Sequence, residues 1–325
     1  MSTGSTKELL RAEHLVKEFP VEGHKKGDAV HAVSDVSFSI SEGETLALVG
    51  ESGCGKSTLG RCLIRLLPLT SGKVYFDGQD ITAMNERQFR PVRRQMQIIF
   101  QDPYASLDPR MTVEKIIAEP LRANKVCKTK EELEEKVLSL MDMVEIPREY
   151  LRRYPHQFSG GQRQRIGIAR ALALEPRLVV CDEPVSALDV SIQSQVLNLL
   201  DDLQDQKHLT YLFISHDLSV VRHISDRICV MFLGRLCEIG PTAEIYDHPL
   251  HPYTKFLLAS VPSPDPTKRD DAQPLLTGDI PSPVNPPSGC VFRTRCPYAD
   301  AQCAAEVPQL RSIGGHEVAC HHPLG

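Results

Sequence analysis

The chain has 325 residues with a formal net charge of −5, enough length for about two domains. That acidic balance, with no long basic run, speaks against DNA or RNA as the main partner, because phosphate-backbone binding needs clustered Lys and Arg. No apolar stretch reaches the roughly 20 residues that cross a bilayer, and the first residues lack the apolar block of a secretion signal, so the reading predicts a soluble, cytosolic chain.

In chain order, "HAVSDVSFSI" alternates polar and apolar residues as a half-buried strand does, and "ETLALVG" is a short apolar run ending in glycine. "GESGCGKST" at 50–58 then fits the phosphate-binding pattern G-x-x-x-x-G-K-[ST] between a strand and an amphipathic helix. Gly50, Gly53 and Gly55 let the backbone curl so that N–H groups face phosphate oxygens, together with Glu51, Ser52, Cys54 and Thr58 of the same loop. Lys56 suits the β- and γ-phosphates, and the Ser57 hydroxyl suits Mg²⁺.

From 102 to 157 the pattern turns helical and charged, in "EKIIAEPL" and "KEELEEKVLSLMDMVEI". "FSGGQRQR" at 158–165 predicts a second helix start suited to an anion, about a hundred residues after the first. The near-continuous apolar runs "RLVVCDEP" and "LTYLFISHD" read as covered parallel strands, with the helical "SIQSQVLNLLDDLQDQ" between them: a βαβ core. The first run delivers Asp182 to a strand end, suited to Mg²⁺, and Glu183, placed to polarise a water; a helix cap is the plain alternative for this pair. His216 has the same alternative, and Gln101 in "IIFQDP" can be an ordinary polar residue at a strand end. After 260, "VPSPDPTKRDDAQP" and "IPSPVNPPSG" are proline-rich and read as linker.

Taken in order, these pieces resemble the ATP-binding-cassette family of transporter ATPases over about residues 8–260. "GESGCGKST" is similar to its Walker A loop, "IIFQDP" to its Q-loop and "FSGGQ" to its signature. "LVVCDE" is similar to its Walker B strand, "SALD" to its D-loop and "ISHD" to its switch histidine. Phe158 stands where the family usually has leucine, an apolar change. The resemblance implies a P-loop NTPase (RecA-like) α/β fold with a parallel sheet core, a helical subdomain at about 102–160 and a small Cys-rich C-terminal appendix. It implies that cassettes pair head to tail, so that Ser159, Gly160, Gly161 and Gln162 complete the ATP site of the opposite subunit. It further implies that Phe19 stacks on adenine (a core phenylalanine is the alternative), that Gln101 ligates Mg²⁺, that Glu183 is the general base, that His216 holds the γ-phosphate, and that Asp189 couples the two sites.

Longer stretches, among them "QDPYASLDPRMTV", "HPLHPYTKFLLASVP" and "PSPVNPPSGCVFRTRCP", resemble the oligopeptide and dipeptide permease ATPases, most closely their F-type branch. This implies a cassette over 1–260, a linker over 261–289 and a permease-type C-terminal region over 290–325. It also implies a second homologous ATPase as heterodimer partner, two membrane permease subunits, an extracytoplasmic peptide-binding protein, and a place on the cytoplasmic face of the bacterial inner membrane. The helical insert is expected to present a groove near Gln101 to a short helix of a membrane subunit. A soluble cassette ATPase acting on ribosomes or DNA is the alternative, and a redox-responsive regulator with secondary ATP hydrolysis is another.

Four of the ten cysteines, Cys290, Cys296, Cys303 and Cys320, gather near the end. So short a segment with little apolar periodicity cannot support its own core, and a cross-link is plausible. Disulfides are disfavoured in the cytosol, and the paired knuckles of zinc sites are missing. An iron–sulfur cluster tolerates wider spacing and often has proline after a ligand, as at Cys296. The permease resemblance also implies a [4Fe–4S] cluster; zinc, with His316, His321 or His322 replacing a cysteine, and unligated thiols remain open.

Overall fold

The computed structural model describes residues 7–21, 28–260 and 278–325. Strand β1 (Glu8–Pro20) buries Leu9, Leu10, Ala12 and Leu15, and β2 (Ala29–Ser41) buries Val36, Phe38 and Ile40 in the alternation its sequence shows. The five residues of β3 (Thr45–Val49) are all buried and lead to helix α1 (Lys56–Leu63). Strands β4 (Ser71–Phe76) and β5 (Gln79–Asp80) follow. Helix α2 (Glu86–Gln95) opens on an Asn85–Gln88 capping box and precedes β6 (Met96–Ile99).

The charged middle region forms α3 (Val113–Ala123) and α4 (Lys130–Met143), the latter capped by the Thr129 hydroxyl accepting from the Glu132 N–H. Next come α5 (Gly160–Leu172), β7 (Leu178–Asp182), α6 (Val190–Lys207) and β8 (Thr210–Ile214). The last third holds α7 (Leu218–Ile224), β9 (Arg227–Phe232), β10 (Arg235–Pro241), α8 (Thr242–Asp247) and α9 (Pro252–Ala259). The tail contains α10 (Ala301–Ala305), β11 (Arg311–Ile313) and β12 (His316–Val318).

These elements form two compact units. The described residues of the first are 7, 41–44 and 84–213, and it therefore holds strands β6, β7 and β8 in the order β8-β7-β6. β6 and β7 run parallel, Met96 opposite Leu178 and Ile99 opposite Cys181. β7 is buried along its full length, which explains its unbroken apolar sequence. In this unit α3 packs on α4 and α5, and α5 packs on α6 and β6.

The described residues of the second unit are 8–21, 28–40, 45–83, 214–260 and 278–325. It has an antiparallel sheet in the order β2-β1-β4-β5 and a strand set in the order β11-β12-β10-β9-β3. β3 and β9 are parallel; β9, β10, β12 and β11 pair antiparallel in turn. The tail is part of this unit. Its Cys290, Val291, Phe292 and Cys303 join one apolar cluster with Val49, Val230, Phe232 and Tyr253. The lack of apolar periodicity in the tail is thereby explained: its few hydrophobic side chains use a core supplied by β3, β9 and α9 rather than one of their own.

A polar knot ties the same region. The Glu238 carboxylate, fully buried, accepts from the N–H groups of Leu250 and His251 and meets Nδ1 of buried His316 at 2.9 Å. His251 caps α9 by accepting from the Tyr253 N–H through Nδ1, and burial lowers its pKa from 6.5 to about 3. Folded His251 stays neutral where an unfolded histidine takes up a proton, so the stability of this site is present above about 6.5 and lost as pH falls toward 3. His251→Asn keeps a cap acceptor and removes the titration. Its melting temperature is expected to fall less between about pH 6.5 and about 4.5 than that of the parent chain, measured by thermal denaturation at both values.

Candidate functional site

The predicted motifs divide between the two units. In the second, β3 runs out at Gly50 and the chain curls around Gly53 before α1. Two glycines make that curl possible. A Cβ on Gly50 (φ 149°) would lie 2.1 Å from the Met231 carbonyl oxygen, and one on Gly55 (φ 105°) would lie 2.0 Å from that of Ala32. Gly55 is also the N-cap of α1 and brings no side chain to cap it, an arrangement that suits an anion at the helix start.

Lys56 is buried and its Nζ donates to the carbonyls of Gly50 at 2.8 Å and Glu51 at 3.0 Å, curled over the loop. Cys54 is buried beneath, its thiol pushed up by burial and partly offset by Lys56, so it stays protonated and packs as an apolar group. Ser52 and Gly53 form the exposed crest, and Ser57 and Thr58 are half-buried in the first turn of α1. Glu51 is held from the far end of the sequence: its N–H donates to the Tyr253 hydroxyl at 2.9 Å, and Arg295 Nη1 lies 3.0 and 2.8 Å from its two carboxylate oxygens.

Two more predicted residues belong to this unit. His216 is exposed after β8, and the cap of α7 is its neighbour Asp217, whose carboxylate accepts from the N–H groups of Ser219 and Val220. Phe19 is half-buried near the end of β1, with the Lys17 ammonium 4.7 Å from its ring centroid.

The first unit holds the remaining motifs. Asp182 is fully buried at the end of β7, and Glu183 follows in a left-handed conformation, φ 48°. Such a backbone costs a non-glycine residue on the order of 1 kcal/mol. Neither carboxylate starts a helix; the next one, α6, is capped by Asp189. Gln101 Nε2 donates to Glu183 Oε2 at 2.8 Å, although 82 residues separate the two. This orientation turns Oε1, an oxygen donor of the kind Mg²⁺ takes, away from the carboxylate. Gln101 and Asp182 offer oxygen donors in this unit and the Ser57 hydroxyl offers one in the other, the ligand type that a hard cation takes.

Ser159 and Gln162 form a capping box at the start of α5, each side chain bonded to the backbone N–H of the other. Gly160 and Gly161 form the first turn, where a Cβ on Gly161 would lie 2.3 Å from Ile192 Cγ2. The glycines thus let α6 approach this turn closely. Phe158 is 5% exposed and stacks edge-on against Tyr150, so the phenylalanine is an apolar packing residue. Asp189 Oδ1 accepts from the Ser191 hydroxyl and the Ile192 N–H, and these bonds, the Ser191 one foremost, hold its pKa below the usual carboxylate range. The segment after Gln101 is fastened to α5: the Arg163 guanidinium lies 4.0 Å from the Tyr104 ring centroid, and Arg170 donates to the Ser106 carbonyl.

In the tail, Cys290, Cys296, Cys303 and Cys320 share one small region. The Cys290 N–H donates to the Cys303 carbonyl, and each of Cys290, Cys296 and Cys320 has its thiol raised by burial first and then by neighbouring cysteines. Tetrahedral zinc, with Zn–S of about 2.3 Å, would bring sulfurs to about 3.8 Å. Among the described residues no three of these sulfurs lie within 4.8 Å of one another; the group that does is Asp300, Cys303 and His322. His316 is engaged by Glu238 and His321 by the Glu306 carbonyl. The one close group of metal-ligating side chains among the described residues thus draws a single one of the four thiols, Cys303, together with Asp300 and His322.

Tyr253 and Arg295 are functional neighbours of the loop that sequence reasoning missed. They lie 202 and 244 residues from Glu51, and no local pattern marks them; the only trace is that both fall within the permease-like stretches "HPLHPYTKF" and "CVFRTRCP".

With this geometry in place, the comparisons with known proteins are informative. A family model described as ABC transporter matches residues 33–186, and one described as oligopeptide/dipeptide transporter, C-terminal region, matches 237–303. The chain is 52% identical over 330 residues to the oligopeptide transport ATP-binding protein AppF of Bacillus subtilis, covering 99% of both chains. It is 54% identical over 290 residues to the oligopeptide transport ATP-binding protein OppF of Salmonella typhimurium, covering 89% of this chain and 87% of that one. Among solved structures, the dimeric post-hydrolysis state of the ATP-binding cassette MJ0796 bound to ADP and Pi is similar, at 28% identity and a TM-score of 0.65, over 72% of this chain and 99% of that one.

The two loop glycines differ in a testable way. A Cβ on Gly53 (φ 79°) meets nothing within 4 Å and brings only left-handed strain of about 1–2 kcal/mol, whereas on Gly50 it also strikes a backbone oxygen. Gly50→Ala is therefore expected to lower the urea midpoint well beyond Gly53→Ala, with a loss of about 3 kcal/mol or more against about 1.

Proposed function

The chain belongs to the ABC transporter family, in its oligopeptide/dipeptide transporter branch, and we propose that it powers the import of di- and oligopeptides through membrane partners. It is an ATPase of that family. One observation carries the cargo class: similarity to the oligopeptide transport ATP-binding protein AppF spans 99% of the chain, tail included, whereas cassette motifs by themselves serve any cargo.

In this reading the start of α1 and Lys56 take the β- and γ-phosphates, and Phe19 stacks on adenine. Ser57, Gln101 and Asp182 hold Mg²⁺, which supplies charge neutralisation when bound. Glu183 orients and deprotonates the attacking water, with Gln101 steadying its carboxylate, and His216 holds the γ-phosphate. The gripping of Glu183 by Gln101 at 2.8 Å supports this pairing of roles.

Ser159, Gly160, Gly161 and Gln162 serve the nucleotide of a paired cassette, and Asp189 couples the two sites. Two helix starts facing one γ-phosphate neutralise it better than one, and its loss on hydrolysis removes the shared ligand. The dimeric state of the similar cassette MJ0796 supports pairing. The partner here is a second, homologous ATPase, with two membrane permease subunits and, indirectly, an extracytoplasmic peptide-binding protein. No helix among the described residues is long and apolar enough to cross a membrane, which suits a subunit held at the cytoplasmic face of the inner membrane by its partners. The Gln101–Ser106 segment, with Tyr104 57% exposed and fastened to α5 through Arg163, is the surface for a membrane subunit's helix. Cys290, Cys296, Cys303 and Cys320 hold a [4Fe–4S] cluster, which would supply a cross-link to the tail.

Glu183→Gln is expected to lower ATP turnover by about 100-fold or more while MgATP binding persists and an ATP-bound dimer accumulates, measured by phosphate release and size-exclusion light scattering. Normal turnover would show that another group is the base. In membranes reconstituted with the permease subunits, uptake of a labelled tripeptide and peptide-stimulated ATPase activity are both expected to require this chain. ATP hydrolysis without peptide uptake would retain the ATPase and remove the cargo assignment.

A further inference from the structure

The turn between Cys290 and Cys296 is built around two side chains. Its backbone is tight, the Arg293 N–H donating to the Cys290 carbonyl and the Arg295 N–H to that of Phe292. Phe292, 1% exposed, plugs into the core against Phe232 and Tyr253, with ring centroids 5.4 and 5.3 Å away. Anchored in this way, the turn delivers Arg295 to Glu51. The Arg295 side chain is 7% exposed and its Nε is buried without a hydrogen-bond partner, so the contact with Glu51 carries the compensation for burying a guanidinium.

Glu51 is an awkward residue at this position. It is the second residue of a loop whose ligand carries several negative charges, and its own carbonyl and that of Gly50 steady the Lys56 ammonium. A bare carboxylate here would repel the triphosphate and compete with it for Lys56. Arg295 neutralises that carboxylate, while the Tyr253 hydroxyl accepts from the same residue's N–H.

We propose that Arg295 is a positioning residue for ATP binding: the C-terminal cysteine lobe acts as a strut that clamps and discharges Glu51, and thereby keeps the phosphate-binding loop receptive to its anion. The proposal rests on the nucleotide reading of the loop.

The test is a double-mutant comparison on the full chain, with MgATP affinity measured by calorimetric titration and KM and kcat by phosphate release. Arg295→Met, which keeps the aliphatic stem and removes the charge, is expected to weaken MgATP binding about tenfold, with KM rising and kcat changing less than twofold. In a Glu51→Gln background the same substitution is expected to cost less than twofold, because no carboxylate is left to expose. Arg295→Lys is expected to recover most of the affinity. Equal losses in the two backgrounds would make Arg295 a packing residue only and overturn the proposal, as would no loss in either. Arg295→Ala repeats the comparison if the methionine variant does not fold. Absence of MgATP binding by the unsubstituted chain overturns the nucleotide reading itself, a result distinct from either of those.

Discussion

The organisation of the loop after β3 follows from one demand: a helix start suited to an anion is left without a side-chain cap. Gly55 fulfils the demand at α1 by capping the helix with no side chain. Gly50 and Gly55 also let β3 and the loop run against the carbonyls of Met231 and Ala32 at distances no other residue tolerates. The loop is thus shaped less by its own sequence than by two backbone oxygens it must pass. At α5 the same kind of helix start is dressed differently, with Ser159 and Gln162 bonding each other's backbone N–H. That box fixes the turn, and Gly161 sets how near α6 can come.

Around the loop, each charged side chain is restrained by a group of the same unit. Lys56 is held by the loop's own carbonyls, Glu51 by Tyr253 and Arg295. The parallel case in the other unit is Glu183, whose left-handed backbone aims the carboxylate while Gln101 fixes its rotamer. Strain of this sort persists only where surrounding contacts over-determine a residue, and β7 on one side and Gln101 on the other do so here. Such restraint suits a site that must present charge in a fixed direction before its ligand arrives.

The tail packs into the core of the second unit. Phe292 and Val291 complete an apolar cluster begun by β3, β9 and α9, and the buried Glu238 joins β10 to the start of α9 and to His316. A segment this poor in hydrophobic residues folds only on a surface that already exists. Its similarity to the C-terminal region of oligopeptide/dipeptide transporters therefore concerns a piece that is structurally continuous with the phosphate-binding loop.

The sequence by itself determined the elements and the chemistry of their ends. Strand alternation in β2, the unbroken apolar runs of β7 and β8, the charged helices α3 and α4, and the loop and signature motifs are all local patterns, each written within about ten to twenty consecutive residues. Local patterns also suggested helix caps at Asp182, Glu183 and His216, and there the register settled the matter, since Asp189 and Asp217 occupy the cap positions instead. Only the tertiary structure decided which distant groups meet: Gln101 with Glu183, Glu238 with His316, and Glu51 with Tyr253 and Arg295. The physical reason is that an ion pair or a buried hydrogen bond needs two groups within about 3 Å and has no preferred spacing along the chain, so nothing in the order of residues records it until the chain has folded.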